Sequence, residues 1–298
     1  MKVIVTGSHG LIGSALVPAL TSAGHQPVRV VRESPATGEI GWDPESGVLD
    51  GRALEGIDAA VHLAGEGLGT KRWNTYQKHR ILDSRVRGTE LLCRRLAELD
   101  PMPSVLVAGS AVGFYGDRGS EVLDEHDGPG TGFLAEVVQR WEAATRAAAD
   151  AGIRVVRMRS GVVLSPAGGA LQKQLPLFRA GLGGRLGSGR QYLSWVSLDD
   201  EVGAILFALT AGDLAGPVNV TAPNPVTNAE FTKTLGAVLG RPAILAVPRL
   251  GLATLLGGEM AHEMLLGGQR VLPKQLLEHG YRFAQPDLEP ALRHLLGR

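Results

Sequence analysis

Residues 2–31 read KVIVTGSHGLIGSALVPALTSAGHQPVRVV, and this stretch decides the fold. Lys2–Thr6 is a short β-branched run of the kind buried on both faces of a parallel sheet. Three glycines at even spacing, Gly7, Gly10 and Gly13, follow at once. From Ser14 to Ala23 apolar residues recur at helical spacing (Leu16, Val17, Leu20, Ala23), and Gly24 closes that helix as a C-cap. Pro27–Val31 is the next strand. The glycines therefore lie between a strand and a helix inside a βαβ unit, the setting in which such a loop binds a dinucleotide. Gly7 permits the sharp turn, Gly10 lets the backbone come against a pyrophosphate, and Gly13 lets the helix pack closely on the strand. Free N–H groups at the helix start draw the anion. A glycine-rich turn that binds nothing is the plainer reading of the triplet alone, and the flanking pattern argues against it.

The end of the second strand selects the nucleotide. It reads Val30-Val31-Arg32-Glu33, with Arg32 placed 25 residues after Gly7. An NAD site puts a carboxylate here to bind the adenosine ribose. A guanidinium would instead clamp a 2′-phosphate and stack on adenine. Glu33 could accept the 2′-hydroxyl of NAD if the loop shifts by one residue, and a solvated strand-end arginine is the plain alternative. The residues favour NADP(H) over NAD(H).

The whole chain has 298 residues, 44% hydrophobic, with 30 Lys+Arg against 30 Asp+Glu. That balance argues against a nucleic-acid or membrane-surface partner, since either favours a basic excess or a basic stripe. A single cysteine, Cys93, excludes an internal disulfide and points to a cytoplasmic location. No run approaches the roughly 20 apolar residues of a spanning helix, and Val3–Val5 breaks too soon into Thr6-Gly7-Ser8 for a signal peptide. Further buried strands are read at Asp58–Ala64, Val105–Ala108 and Ile153–Met158, with a long helix at Trp73–Leu99. The alternation predicts an α/β fold, a Rossmann-like doubly wound parallel sheet with a smaller C-terminal α+β region. The nucleotide-binding core is expected at 1–165, with 196–221 returning to it. Residues 166–195 and 222–298 form the substrate side. His62, at the end of the third strand, reads as a core or supporting group.

Seven motifs carry a family resemblance: TGSHGLIG at 6–13, HLAGEG at 62–67, SAVGFYG at 110–116, RSGVVL at 159–164, SWVSLDD at 194–200, TAPNPVTNAEF at 221–231 and GGQRVLPKQLLEHGYRF at 267–283. Together they resemble the atypical, epimerase-like branch of the extended short-chain dehydrogenase/reductases. Within it the chain is similar to epimerase-family proteins with a C-terminal domain of unknown function, sometimes labelled cell-division-inhibitor homologues. The resemblance assigns Thr6, Gly7, Gly10, Leu11, Ile12 and Gly13 to the cofactor. It brings Leu63, Ala64 and Gly65 beside the cofactor's ribose and pyrophosphate, and Arg85, in the family's Ser-Arg pair, to the cofactor side of the sheet.

It also exposes a gap. Most of the superfamily uses a Ser/Thr together with a Tyr-x-x-x-Lys helix, the tyrosine being the acid/base. The equivalent helix here, read over Thr131–Ala149, holds neither tyrosine nor lysine. Aligning the family's helix glutamate on Glu142 puts Leu134 and Val138 in their places, and Ala111 takes the usual hydroxyl position. The substitutes nearest to hand are Ser110, one residue earlier, as a polarising hydroxyl and Tyr115 as a proton donor. The alternative reading of Tyr115 is a structural part of its loop. Arg159 is read either as an anchor for an anionic substrate group or as a partner of Glu121 or Asp124.

No metal site is expected. His262-Glu263 begins like a zinc-protease helix, but Leu266 stands where the second histidine is required. There is no Gly-x-Ser-x-Gly elbow and no Walker loop. The glycine- and arginine-rich stretch from Leu171 to Trp195 is read as a substrate lid or a flexible surface loop. Thr227-x-x-Glu230 is read as a capping box. The apolar stripe after Pro242 is read as core or as a subunit contact, which leaves a homodimer open. Two functions follow: an NADP(H)-dependent oxidoreductase or epimerase acting on an unidentified small molecule, or a non-catalytic NADP(H)-binding sensor.

Overall fold

The quoted stretch folds as β1 (Lys2–Thr6), α1 (Leu11–Ser22) and β2 (Gln26–Val31). The structure is a computed structural model that describes residues 1–33 and 35–298. After β2 come β3 (Ile40–Asp43), β4 (Val48–Leu49), β5 (Ala59–His62), α2 (Thr75–Ala97), β6 (Val105–Ala111) and β7 (Val122–Leu123). Next are α3 (Phe133–Ala143), α4 (Arg146–Asp150), β8 (Arg154–Ser160), β9 (Val162–Leu164), α5 (Gly169–Arg179), β10 (Gly184–Leu186) and β11 (Tyr192–Leu193). Then follow β12 (Trp195–Ser197), α6 (Leu198–Thr210), β13 (Gly216–Val220), β14 (Val226–Thr227), α7 (Asn228–Leu239) and β15 (Leu245–Val247). The chain ends with α8 (Arg249–Leu256), α9 (Gly258–Ala261), β16 (Arg270–Val271), α10 (Lys274–Glu278) and α11 (Leu288–Leu296).

Eight strands form the main sheet in the order β13-β8-β6-β5-β1-β2-β3-β4. β1 pairs in parallel with β2 and β5, β5 with β6, and β2 with β3, while β4 turns back antiparallel on β3. This is the α/β, Rossmann-like architecture expected. Val3–Val5, Ala59–Val61 and Val105–Val107 are fully buried, which is why these strands are unbroken apolar runs. From β1 the chain moves to β2 on one side and later returns to β5 on the other. The order therefore reverses at β1, and a crevice opens beyond the carboxyl ends of the strands there.

Three local features differ from the sequence reading. The β3–β4 hairpin is not visible in sequence because IGWD at 40–43 is a short edge strand whose residues alternate buried and exposed. Helix α2 begins at Thr75 because the Asn74 side chain accepts from Gln77 N–H and caps it. The helix read over 131–149 is broken. Thr145 donates both its hydroxyl (2.7 Å) and its N–H (3.2 Å) to the Glu142 carbonyl, which tightens the turn and ends α3.

The chain divides into two compact units. The first holds 1–110, 137–158 and 202–218, and the second holds 111–136, 159–201 and 219–298. Residues 111–136, grouped with the core in the sequence reading, thus cluster with the second unit. The first unit is centred on Ile4, Trp42, Leu92, Leu96 and Leu106. The second is centred on Phe178, Trp195, Phe231, Leu235 and Leu292. Within the second unit α7 opens with the capping box, Thr227 and Glu230 exchanging side-chain-to-backbone bonds of 2.7 and 3.2 Å. Asp200 is a tie within the same unit. It accepts from Ala284 and Gln285 N–H at 2.7 and 2.9 Å and from the Ser197 hydroxyl at 2.8 Å.

Candidate functional site

The glycine loop is shaped by its own packing. Gly7 has φ +66°, and a Cβ there would lie 2.7 Å from the Leu63 carbonyl. A Cβ on Gly13 would overlap the Gly7 carbonyl oxygen, so the first turn of α1 closes only with glycine at that position. Arg29, reaching from β2, donates to the Ser8 carbonyl at 3.0 Å and braces the loop from the side. The loop borders a cavity of about 510 Å³. Its other walls are the end of β2 (Val30–Glu33), the β3–β4 turn (Trp42–Glu45), the segment Leu63–Glu66 after β5, and Ser84.

The loop has the chemistry of a diphosphate cradle. Ser8 is buried, and its hydroxyl has no hydrogen-bond partner among the described residues. A sealed hydroxyl without a partner is costly and calls for a ligand atom. It stands beside the amides that open a 12-residue helix, where an anion is favoured. These residues fit the adenosine diphosphate portion of a dinucleotide.

Of the residues assigned to the cofactor, Gly7, Gly10, Arg32, Leu63, Ala64 and Gly65 line the cavity. Arg32 and Glu33 both stand exposed on its rim. The remaining assigned residues lie behind this wall. Leu11, Ile12 and Gly13 form the first turn of α1. Thr6 is fully buried beneath the loop. Arg85 backs the segment after β5: it donates to the carbonyls of Glu66 (2.9 Å) and Ile81 (3.1 Å) and stacks over Trp141. Ser84 lies on the cavity side of the same helix and accepts from Glu66 N–H at 3.0 Å. Arg80 and Gln77 hold the Glu66 carboxylate, so one face of α2 clamps residue 66 by backbone and side chain alike. The β3–β4 wall, with Trp42 and Asp43, was missed in sequence. Its only local signal is the alternation of Ile40 and Trp42 with Gly41 and Asp43.

A buried hydrogen-bond chain supports the floor of the cradle. Thr6 Oγ1 accepts from Leu63 and Ala64 N–H, so its own proton goes to His62 Nδ1 at 2.7 Å. His62 then carries its proton on Nε2 and donates to Thr89 Oγ1 at 3.0 Å, and Thr89 in turn donates to the Arg85 carbonyl at 2.7 Å. Burial pushes His62 down to about 4, so the ring is neutral and the chain of donors stays fixed. This histidine is structural.

The two residues offered as substitutes for the acid/base have different surroundings. Ser110 donates to Glu142 Oε1 at 2.6 Å, and both side chains are buried. Within the second unit, Tyr115 is fully buried. Its hydroxyl lies 2.8 Å from Asn219 Oδ1 and 3.0 Å from the Asp124 carbonyl, and accepts from Arg159 at 3.0 Å. Asn219 donates its amide to the Leu272 carbonyl, which turns Oδ1 toward the tyrosine. Burial pushes the phenol up to about 12 despite the Arg159 charge. Arg159 itself stacks on Phe114, 3.5 Å from the ring centroid. Glu121 is bound by Arg118, and Asp124 by Lys274 and His126. Leu134 begins α3, where its N–H and that of Phe133 are capped by the Glu263 carboxylate at 2.8 and 2.7 Å. Among the described residues no three His, Cys, Asp or Glu side chains gather as a metal site. No described helix is long and apolar enough to cross a membrane.

This geometry agrees with what known proteins resemble the chain. The epimerase family protein Mb2239 of Mycobacterium bovis is 48% identical over 297 residues, covering 99% of this chain and 98% of that protein. A crystal structure of the human epimerase family protein SDR39U1 with NADPH superimposes with a TM-score of 0.92 at 37% identity, covering 100% of both chains. A nucleoside-diphosphate sugar epimerase structure from Corynebacterium glutamicum is 38% identical with a TM-score of 0.82, and this chain spans 58% of it. Residues 247–295 match a domain of unknown function, DUF1731. Residues 3–221, which contain the glycine cradle and all of the main sheet's strands but for Lys2, match the NAD dependent epimerase/dehydratase family, and the chain belongs to that family.

Proposed function

We propose that the protein binds NADP(H) in the first unit and is an oxidoreductase or epimerase acting on a small carbonyl or hydroxyl compound without the Tyr-x-x-x-Lys pair. The observation that carries this reading is the cradle: a buried Ser8 hydroxyl with no partner among the described residues, beside open helix amides, with Arg32 on the rim of the same cavity. Binding of NADPH by the human relative supports it. A bound nicotinamide dinucleotide supplies a hydride donor or acceptor. The loop amides and Ser8 hold its diphosphate, and Arg32 holds the 2′-phosphate that separates NADP(H) from NAD(H). The proton of Ser110 is committed to Glu142, which leaves the serine lone pairs to accept a hydrogen bond from a substrate hydroxyl.

One observation favours a second reading, a sensor that binds NADP(H) without turnover. Tyr115 is sealed, its hydroxyl is fully engaged, and burial strengthens its hold on its proton. Calorimetry with NADPH and NADH tests the cofactor assignment common to both. Arg32→Gln should weaken NADPH about 10- to 100-fold, the worth of one or two charge-assisted bonds, and leave NADH nearly unchanged. Equal weakening of both overturns the phosphate role of Arg32. No uptake of either cofactor by folded protein overturns the whole reading. The sensor reading stands if NADPH binds but deuterium at its C4 reaches no carbonyl compound in a panel.

A further inference from the structure

The cavity of the first unit has two flanks, with the glycine loop between them. β1 lies between β2 and β5 in the main sheet. The loop after β1 is therefore flanked by Arg32, just past β2, and by residues 63–66, just past β5. The second flank touches the loop directly, since a Cβ on Gly7 would lie 2.7 Å from the Leu63 carbonyl. A dinucleotide with its 2′-phosphate at Arg32 and its diphosphate on the loop sends its second ribose along residues 63–66. That ribose is esterified directly to the diphosphate and carries two free, adjacent hydroxyls.

Among the described residues that line this flank, Glu66 alone is charged. Both of its backbone groups are spent on α2. Its N–H goes to the Ser84 hydroxyl at 3.0 Å, and its carbonyl accepts from Arg85 at 2.9 Å. Ser84 gives its own proton to the Ile81 carbonyl at 3.1 Å, so it has none for a ligand. The Glu66 carboxylate is steered from behind: Gln77 donates to Oε1 at 3.4 Å and Arg80 to Oε2 at 3.2 Å. Each oxygen keeps a lone pair, and the side chain is still 17% exposed. Gln77 is buried, and its Oε1 has no hydrogen-bond partner among the described residues. This corner holds more acceptors than its own donors fill, so it suits O–H groups and not a further anion.

We propose that Glu66 binds the two adjacent hydroxyls of the nicotinamide-side ribose, with Gln77 as the residue that positions its carboxylate. Two carboxylate oxygens side by side match two neighbouring hydroxyl donors. A carboxylate past β2 holds the adenosine ribose of NAD by the same chemistry, and here it stands past β5. The ring carboxamide is a poorer match, because the nicotinamide ring separates it from the ribose and the diphosphate. The assignment rests on the dinucleotide reading above and extends it to the second half of the molecule.

Calorimetry of the full chain with three ligands tests it: NADPH, 2′-phospho-ADP-ribose, which keeps the ribose but lacks the ring, and 2′,5′-ADP, which lacks both. Glu66→Gln should weaken the first two about 10- to 100-fold, the worth of one charge-assisted bond, and leave 2′,5′-ADP unchanged. Gln77→Leu should weaken the same two ligands about 2- to 10-fold, the worth of one ordinary hydrogen bond, again without touching 2′,5′-ADP. A carboxylate that merely shapes the loop would weaken all three ligands together in the folded variant, which overturns the assignment. Unchanged NADPH affinity in Glu66→Gln overturns it as well. So does weakening confined to NADPH, which gives the carboxylate to the ring. Should circular dichroism show that Glu66→Gln does not fold, Gln77→Leu decides on the same three ligands. Wild-type protein that takes up neither NADPH nor 2′,5′-ADP brings down the dinucleotide reading itself, and the ribose assignment with it.

Discussion

The glycine loop and the Tyr115 cluster each end a strand, and each is rich in polar groups, yet they are finished differently. Around Tyr115 every bond is returned: the phenol, Arg159, the Asn219 amide and the Asp124 carbonyl satisfy one another inside the second unit. At the glycine loop the Ser8 hydroxyl is buried with no partner among the described residues, and Arg32 and Glu33 stand on the rim of a cavity. An unpaired hydroxyl beside open helix amides at a cavity marks where an anion belongs, and a set of bonds closed on itself marks architecture. A tyrosine in a conspicuous motif is therefore no better a proton donor than its neighbours allow.

This contrast can be broken experimentally, and the largest effect belongs to the open site. Gly7→Ala forces a side chain at φ +66° against the Leu63 carbonyl and displaces the loop. NADPH affinity in calorimetry should fall on the order of a hundredfold, as two charge-assisted backbone bonds are lost. An unchanged affinity means that the loop amides do not hold the cofactor.

The next effect lies in a closed site that is imperfectly closed. Glu201 is fully buried, its Oε1 accepts from Ser160 at 2.6 Å, and its Oε2 has no hydrogen-bond partner among the described residues. Burial pushes its carboxyl up from 4.5 to about 7. Because the folded state prefers the proton, its stabilisation is complete below pH about 4.5 and is lost as pH rises through about 7. Tyr281 lies within electrostatic reach of the same carboxylate and, being neutral, does not offset its charge. Glu201→Gln should match the wild type in urea denaturation near pH 4.5 and exceed it by about 3 kcal/mol at pH 8. A difference that does not change with pH means the carboxyl is already ionised.

The smallest effect sharpens the comparison. Tyr115→Phe leaves Asn219 Oδ1 and one Arg159 donor without their partner, at a cost of about 1–3 kcal/mol in denaturation. NADPH affinity should not move. If the variant instead keeps full stability and loses a measured turnover, Tyr115 is a proton donor after all and the contrast between the two regions fails.

How much could be read without coordinates depends on the range of the interaction involved. The βαβ unit, the glycine triplet, the buried strands and the Thr227–Glu230 capping box were legible because their causes lie within a few residues: periodicity, a forbidden Cβ, a side chain reaching its own helix end. The β3–β4 wall was illegible because a four-residue edge strand gains its stability from pairing with β2, not from its own pattern. Arg85 carried a family motif, but whether its guanidinium faces the cavity or holds the Glu66 carbonyl is set by the rotation of α2 against β5. The state of Tyr115 depended on Asn219, more than a hundred residues away. Short-range sterics and spacing are written along the chain. Burial, proton affinity and surface charge are properties of neighbours, and neighbours are chosen by folding.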